Sequence, residues 1–176
     1  MLKTKLARWL TAAVLLILLV AISVWLIAFR TVAQEPFPDR AAEFNHGSIG
    51  NEDAQGIPYW IWRVLPTLFN DYLPGPTAYS SLGLFWEPGA ELPVGFSKKV
   101  VGTERISINC AFCHQGSYRL HPDEQSRLVV AGPGNRVAVQ GYLRFLARAG
   151  NDPRFNADTI LDAITLIYEM PWWQRL

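Results

Sequence analysis

The chain has 176 residues, with 16 Lys and Arg against 15 Asp and Glu, and a formal net charge of +1. That length holds one modest soluble domain plus an anchor, and the balanced charge offers no basic excess of the kind nucleic-acid binding requires. Its 2 cysteines both fall in one pentapeptide, so the chemistry they carry is concentrated at a single place.

From Trp9 to Phe29 the chain carries no charge and is dominated by Leu, Ile, Val and Ala. Such a run spans a hydrocarbon core about 30 Å thick. Lys3, Lys5 and Arg8 precede it and Arg30 closes it, whereas Glu35 and Asp39 come soon after. This bias predicts a cytoplasmic N-terminus and an exported remainder, with residues 1–30 as a single-pass anchor in a bacterial inner membrane. Trp9 and Trp25 suit the membrane interface. A cleaved signal peptide is the rival reading. The apolar run exceeds the usual h-region of about 7–15 residues, and Thr31-Val32-Ala33 is a poor small-x-small cleavage site, so a retained anchor is expected. All 15 acidic residues lie beyond the anchor, and the exported part is slightly acidic.

Residues 31–45 are polar, contain Pro36 and Pro38, and read as a linker. Residues 46–176 then form the exported domain, large enough for one core. Its first part, 46–100, is dense in Gly, Pro and aromatics, as in Gly56-Ile57-Pro58-Tyr59-Trp60-Ile61-Trp62 and Leu73-Pro74-Gly75-Pro76. Short helical turns and irregular coil are expected there. Arg105 to Asn109 can form one short strand.

Next comes Cys110-Ala111-Phe112-Cys113-His114, which reads as a c-type haem attachment site. Two thiols three apart lie on neighbouring turns of a short helix, where each can form a thioether to one vinyl group of haem, and the next residue can offer its imidazole to the iron. A thioredoxin-like redox pair would open a helix in a βαβ unit, and no such pattern is present. A zinc site needs four ligands, and no second Cys pair or paired histidines exist here. A disulfide across so short a loop stabilises little. None of these rivals needs His114. One covalent haem c is therefore expected, with Cys110, Cys113 and His114 holding it. The aromatic stretches of 46–100 suit a domain in which a flat ring supplies part of the core, although they fill an ordinary loop-rich core equally well.

Further on, Ala131-Gly132-Pro133-Gly134-Asn135 reads as a tight turn. Val139, Tyr142, Leu143 and Leu146 then make the apolar stripe of a helix ended by Gly150-Asn151-Asp152-Pro153. A second helix is expected from Ala157 to Glu169, with Ile160, Ile164, Ile167 and Tyr168 inward and Asn156 or Asp158 as its cap. The fold expected from these elements is mainly α with much irregular coil: an N-terminal transmembrane helix followed by a cytochrome c-like haem domain.

The iron's second axial ligand separates an electron carrier from an enzyme with an accessible iron. Met170 is the methionine candidate, and thioether ligation there would raise the potential. His46 lies in a flexible-looking stretch that could reach the iron. His121 is too close to His114 along the chain to fold back easily. Arg119, Lys98, Lys99, Arg105 and Arg136 are candidate partners for haem propionates or ordinary surface charges.

Gly47-Ser48-Ile49-Gly50, Gly56 to Trp62, the Cys110–His114 motif and Gly132 to Val137 together resemble the N-terminal part of large exported di-haem cytochromes, relatives of bacterial di-haem cytochrome c peroxidases and rubber oxygenases. The resemblance covers about residues 46–150. It implies that Cys110 and Cys113 anchor one haem and that His114 ligates it. Those proteins carry two such motifs on a longer chain, whereas this chain has one and stops after Trp172-Trp173-Gln174-Arg175-Leu176. The expected function is a membrane-anchored c-type cytochrome that transfers electrons on the periplasmic side through a redox partner protein. The alternatives are the N-terminal haem module of a di-haem peroxidase- or oxygenase-like enzyme and, more distantly, a haem-based sensor or assembly factor.

Overall fold

Six α-helices and two antiparallel sheets are built from residues 2–124, 126–132 and 136–168, the residues this computed structural model describes. The first helix, α1 (Leu2–Phe29), contains a stretch, Ala7–Leu26, of mean hydropathy 2.6 with none of it buried against the rest of the protein. One helix is thus long and apolar enough to cross a membrane, as an anchor or as a signal sequence.

The chain leaves α1 directly into the folded domain. β1 (Thr31–Val32) pairs with β3 (Phe96–Val101), Thr31 opposite Val101 and Val32 opposite Val100. Gln34 then accepts from the Ser48 amide at 2.6 Å and donates to the Lys98 and His46 carbonyls. α2 (Arg40–His46) is capped by Asp39, whose carboxylate accepts from the Ala42 amide. The stretch read as a linker therefore carries a strand, a helix and a hydrogen-bonding hub. Polar composition hid this, because its hydrogen bonds are made to residues distant in sequence.

The main sheet runs β1-β3-β4-β2, with β4 at Thr103–Ile108 and β2 at Ile57–Pro58, and a second ribbon joins β5 (Gln115–Tyr118) to β6 (Arg127–Val130). The cytochrome c-like, mainly α fold expected from the sequence is corrected by these two sheets: the domain is a mixed α/β fold. The β3–β4 hairpin is the decisive element. Phe96 and Ile106 are buried on its core face, Lys99 and Arg105 pair on the opposite face, and Gly102 at φ +70° closes the hairpin with a single residue between Val101 and Thr103. A Cβ on Gly102 would lie 2.3 Å from the Ala28 carbonyl oxygen, so the hairpin tip is seated on the last turn of α1. Pro58 is tolerated in β2 because that strand is a sheet edge.

The core lies between the main sheet, α4 (Tyr59–Leu68) and α5 (Val139–Gly150). α4 contains Pro66, which has no N–H to give the Trp62 carbonyl four residues earlier. The buried Tyr79 hydroxyl donates to that carbonyl at 2.8 Å instead. Burial pushes the Tyr79 and Tyr142 phenols well above the ordinary range, so both stay neutral hydrogen-bonding groups. Tyr142 accepts from the Trp62 indole at 3.1 Å, and Trp62 stacks on Tyr79. Replacing Tyr79 by Phe strands a buried carbonyl while keeping the ring. It should cost about 1–3 kcal/mol, read as a lower denaturant midpoint at an unchanged slope.

α5 turns Tyr142, Phe145 and Ala149 inward, with Val139 and Leu146 packed against the core as expected, while Leu143 is exposed and Phe145 lies edge-on to Tyr79 in its place. α6 (Ala157–Ile167) is capped by Asn156, which accepts from the Thr159 amide, and buries Ile160 and Ile164 against Val64 of α4.

Candidate haem-attachment site

The Asn109 side chain begins the site. Its Oδ1 accepts from the Ala111 amide at 2.9 Å and so caps a short 3-10 turn, Cys110–Phe112. Its Nδ2 donates to the Asn45 and Gly47 carbonyls at 3.2 and 3.0 Å. One buried amide thus caps the turn and fastens it to the end of α2. The turn closes as the Cys113 and His114 amides both donate to the Cys110 carbonyl. A 3-10 turn eclipses residues three apart, so Cys110 and Cys113 share one side of it.

Gly95 supports the turn from beneath. Its φ is +94°, and a Cβ there would stand 2.4 Å from the Phe112 Cα. Its carbonyl accepts from the Asn109 amide, and its amide donates to the Asn45 carbonyl. Phe112 and Ala111 point inward and are fully buried, Phe112 edge-on to Phe96 and tilted against Tyr142. The outward residues are the reactive ones: Cys110 and Cys113 are free and exposed, and His114 is exposed. The apolar side chains of the motif hold the turn in place, and its two thiols and one imidazole face out.

A cleft of about 480 Å³ lies against Cys110, lined by Glu35, Phe37, Glu43, Phe44, Ser48, Ile49 and Asn109 among others. That volume is within the range of about 300–1,000 Å³ typical of cofactor pockets. Ile49 is 55% exposed, and Val129 and Val130, on the ribbon next to the motif, are 38% and 40% exposed. The exposed Ile49 shares the cleft with Cys110, as suits a site that an apolar group covers. Among the described residues no group of three or more His, Cys, Asp or Glu is placed to hold a bare metal ion. A haem makes no such demand, since its own ring supplies four nitrogens and the protein adds the axial ligand. The residues present are chemically compatible with a haem c, which Cys110, Cys113 and His114 would hold.

The remaining candidates are distributed otherwise. Met170, with Trp172 and Trp173, lies outside the described residues. His46 has both ring nitrogens engaged, Nε2 with Glu87 at 3.0 Å and Nδ1 with the Phe96 carbonyl at 3.4 Å. His121 is exposed in the connection between β5 and β6. Arg119 donates to Ser126 and Arg136 to Ser117, Lys98 pairs with Glu91 and Glu104, and Lys99 pairs with Asp53. The Nε of Arg105 is buried without a hydrogen-bond partner. Trp62 is a core residue and Trp60 is wedged between Tyr59 and Tyr168, so both serve packing.

Sequence reasoning passed over Asn109, Gly95 and Gln34. Asn directly before a helical turn is a cap signal and could have revealed Asn109. Gly95 and Gln34 act through contacts with residues far along the chain and leave no local mark. No known protein family, curated protein or solved structure matches this chain.

Proposed function

We propose that this protein is a membrane-anchored c-type cytochrome that carries one covalent haem and passes single electrons outside the membrane. The observation that carries the reading is the display of Cys110, Cys113 and His114 on one capped turn, beside a cleft lined by Phe37, Phe44 and Ile49. When bound, a haem c supplies an Fe(III)/Fe(II) couple whose potential depends on its axial ligands and burial. The chain's own part is to hold that group. Asn109 and Gly95 hold the turn, and the exposed imidazole of His114 would be the iron ligand it offers. The test is production of the full chain with a cytochrome c maturation system, then denaturing electrophoresis and a stain for covalent haem. A stained band at the mass of the chain is expected, and its absence sinks the reading.

The proposed location is a bacterial inner membrane, single-pass, with the N-terminus in the cytoplasm and the haem domain in the periplasm. It rests on the charge bias about α1 and on the compartment in which haem c is attached. Retention of α1 is supported by the two anchor points immediately after it: β1 is an edge strand of the main sheet, and Gln34 ties three segments together. Cleavage after Ala33 would strip β1 from the sheet. Intact mass spectrometry of the membrane-extracted protein should therefore include residues 1–33; a mature N-terminus at Gln34 would contradict this.

A second reading, the haem module of a di-haem peroxidase- or oxygenase-like enzyme, is favoured by one observation. The ring of His46 is already engaged by Glu87 and Phe96, which leaves it poorly placed to close the sixth position. On that reading the His46→Gln variant keeps the optical spectrum, and the reduced protein binds carbon monoxide. A low-spin spectrum unmoved by carbon monoxide favours the electron carrier.

A further inference from the structure

The closed end of the β3–β4 hairpin meets the chain where it leaves α1. The Gly102 amide donates to the Arg30 carbonyl at 2.8 Å, and the Cβ position of Gly102 lies 2.3 Å from the Ala28 carbonyl oxygen. Thr31 then stands opposite Val101, and Val32 opposite Val100. The join between α1 and the domain is thus a strand pair, with no run of unpaired residues to serve as a flexible tether.

The direction of each strand follows from this pairing. β1 runs away from the end of α1, and β3, antiparallel to it, runs back. β4 runs away again, and its far end leads through Asn109 into the Cys110–Phe112 turn. The 6 residues of β4 span about 20 Å, at roughly 3.4 Å per residue. A second route gives the same order. Beyond β1, Gln34 donates to the Lys98 carbonyl, and Phe37 lines the cleft that contains Cys110. Two separate segments therefore lead from α1 to the Cys110 turn.

The charges along the hairpin agree with an upright sheet. At the closed end Arg30, Thr31 and Thr103 are exposed, one guanidinium and two hydroxyls able to bond headgroup phosphates. A sheet lying flat on a bilayer would turn its mid-strand cations to those phosphates, and here they are turned to protein. Lys98 pairs with Glu91 and Glu104, and Lys99 with Asp53 of the short helix α3 (Glu52–Gln55). Arg105, opposite Lys99, has its Nε buried without a hydrogen-bond partner.

We propose that the hairpin tip, Val101 to Thr103 with Arg30 and Thr31, is a contact surface for lipid headgroups that stands the domain upright on the bilayer. The Cys110–His114 turn is then at the far end of the hairpin, on the aqueous side. This rests on α1 as a retained membrane anchor and needs no haem. A molecule dissolved in the hydrocarbon cannot touch a turn so placed, and the partner that the turn fits is a water-soluble one.

The test uses the full-length chain, made without haem attachment, in nanodiscs of phosphatidylcholine and phosphatidylglycerol with or without a nitroxide on the headgroup. A bimane fluorophore is attached to Cys110 in the Cys113→Ala variant. In a second protein it is attached at position 103 of Thr103→Cys, with Cys110 and Cys113 both replaced by alanine. The headgroup nitroxide should quench most of the fluorescence at position 103 and leave the Cys110 label as bright as in nitroxide-free discs. Thr31→Cys in the same background should behave as Thr103→Cys does, which keeps the test open where one of the two fails to fold. Quenching at both ends, at Cys110 alone or at neither end overturns the proposal. A chain that carbonate washing strips from lipid vesicles defeats the anchor reading itself; a chain that stays and is quenched equally at both ends defeats only the upright orientation.

Discussion

Replacing Cys110 and Cys113 together by alanine is expected to abolish covalent haem completely while leaving the apoprotein fold intact. Both thiols are exposed and free, and neither contributes packing to the core. The turn that carries them is held by groups that the substitutions leave in place: the Asn109 cap, its donation to the Asn45 and Gly47 carbonyls, and the buried Ala111 and Phe112. Surface substitutions of this kind change stability by about 0.5 kcal/mol or less. The haem-stained band should therefore vanish at an unchanged unfolding midpoint of the apoprotein. Single substitutions leave one thiol and so one possible thioether, and should reduce the stain without always removing it. His114→Ala should keep both thiols and lose the axial imidazole, changing the optical spectrum more than the stain. A double variant that still stains would show that these thiols are not the attachment point.

Gly95→Ala is expected to destabilise the domain strongly. Two costs fall on the same atom. A residue with a side chain at φ +94° pays roughly 1–2 kcal/mol relative to glycine. The new Cβ would also lie 2.4 and 2.5 Å from the Phe112 Cα and N, which are backbone atoms of the Cys110–Phe112 turn and cannot swing aside. Forced overpacking of this kind adds about 1–3 kcal/mol. The sum, about 2–5 kcal/mol, is a large share of the stability of an ordinary domain. Gly89→Ala is the matched control, since Gly89 also has a positive φ but nothing within 4 Å of its Cβ position. Its loss should be confined to the backbone cost. Equal unfolding midpoints for the two variants would contradict the close-approach argument. Because Phe112 is displaced in Gly95→Ala, haem incorporation should fall along with stability.

These predictions differ in how far the chain announced them. That Cys110, Cys113 and His114 stand together was legible because they lie within one pentapeptide, and spacing is local. The same holds for α1, whose apolar length is written in consecutive residues, and for the Asn156 cap and the inward Ile160 and Ile164 of α6, although Ile167, expected inward, is exposed. The β3–β4 hairpin was not legible. Phe96-Ser97-Lys98-Lys99-Val100-Val101 alternates only partly, and its pairing with Thr103–Ile108 depends on a one-residue turn at Gly102 that is stabilised by the end of α1. Missing that hairpin made the domain look mainly α. The stretch 31–45 looked like a linker for a related reason, since the partners of Gln34 and β1 lie near Ser48 and Lys98. Leu143 was assigned to the core face of α5 because periodicity gives the shape of a stripe but not its phase against a neighbouring element.

By itself, the sequence determined which atoms are available: two thiols and an imidazole at fixed spacing, a membrane-length apolar run, and a charge bias about it. Those are properties of covalent order and need no fold to exist. Only the tertiary structure decided the surroundings of those atoms. It seats the motif on Gly95, fastens it through Asn109 to α2, engages the ring of His46 with Glu87 and buries Glu52 between two serines. Each of those depends on chain segments tens of residues apart meeting at hydrogen-bond or van der Waals distance. Such meetings are selected by the packing of the whole core, through the sum of many small contact energies, and no local stretch of residues contains that sum.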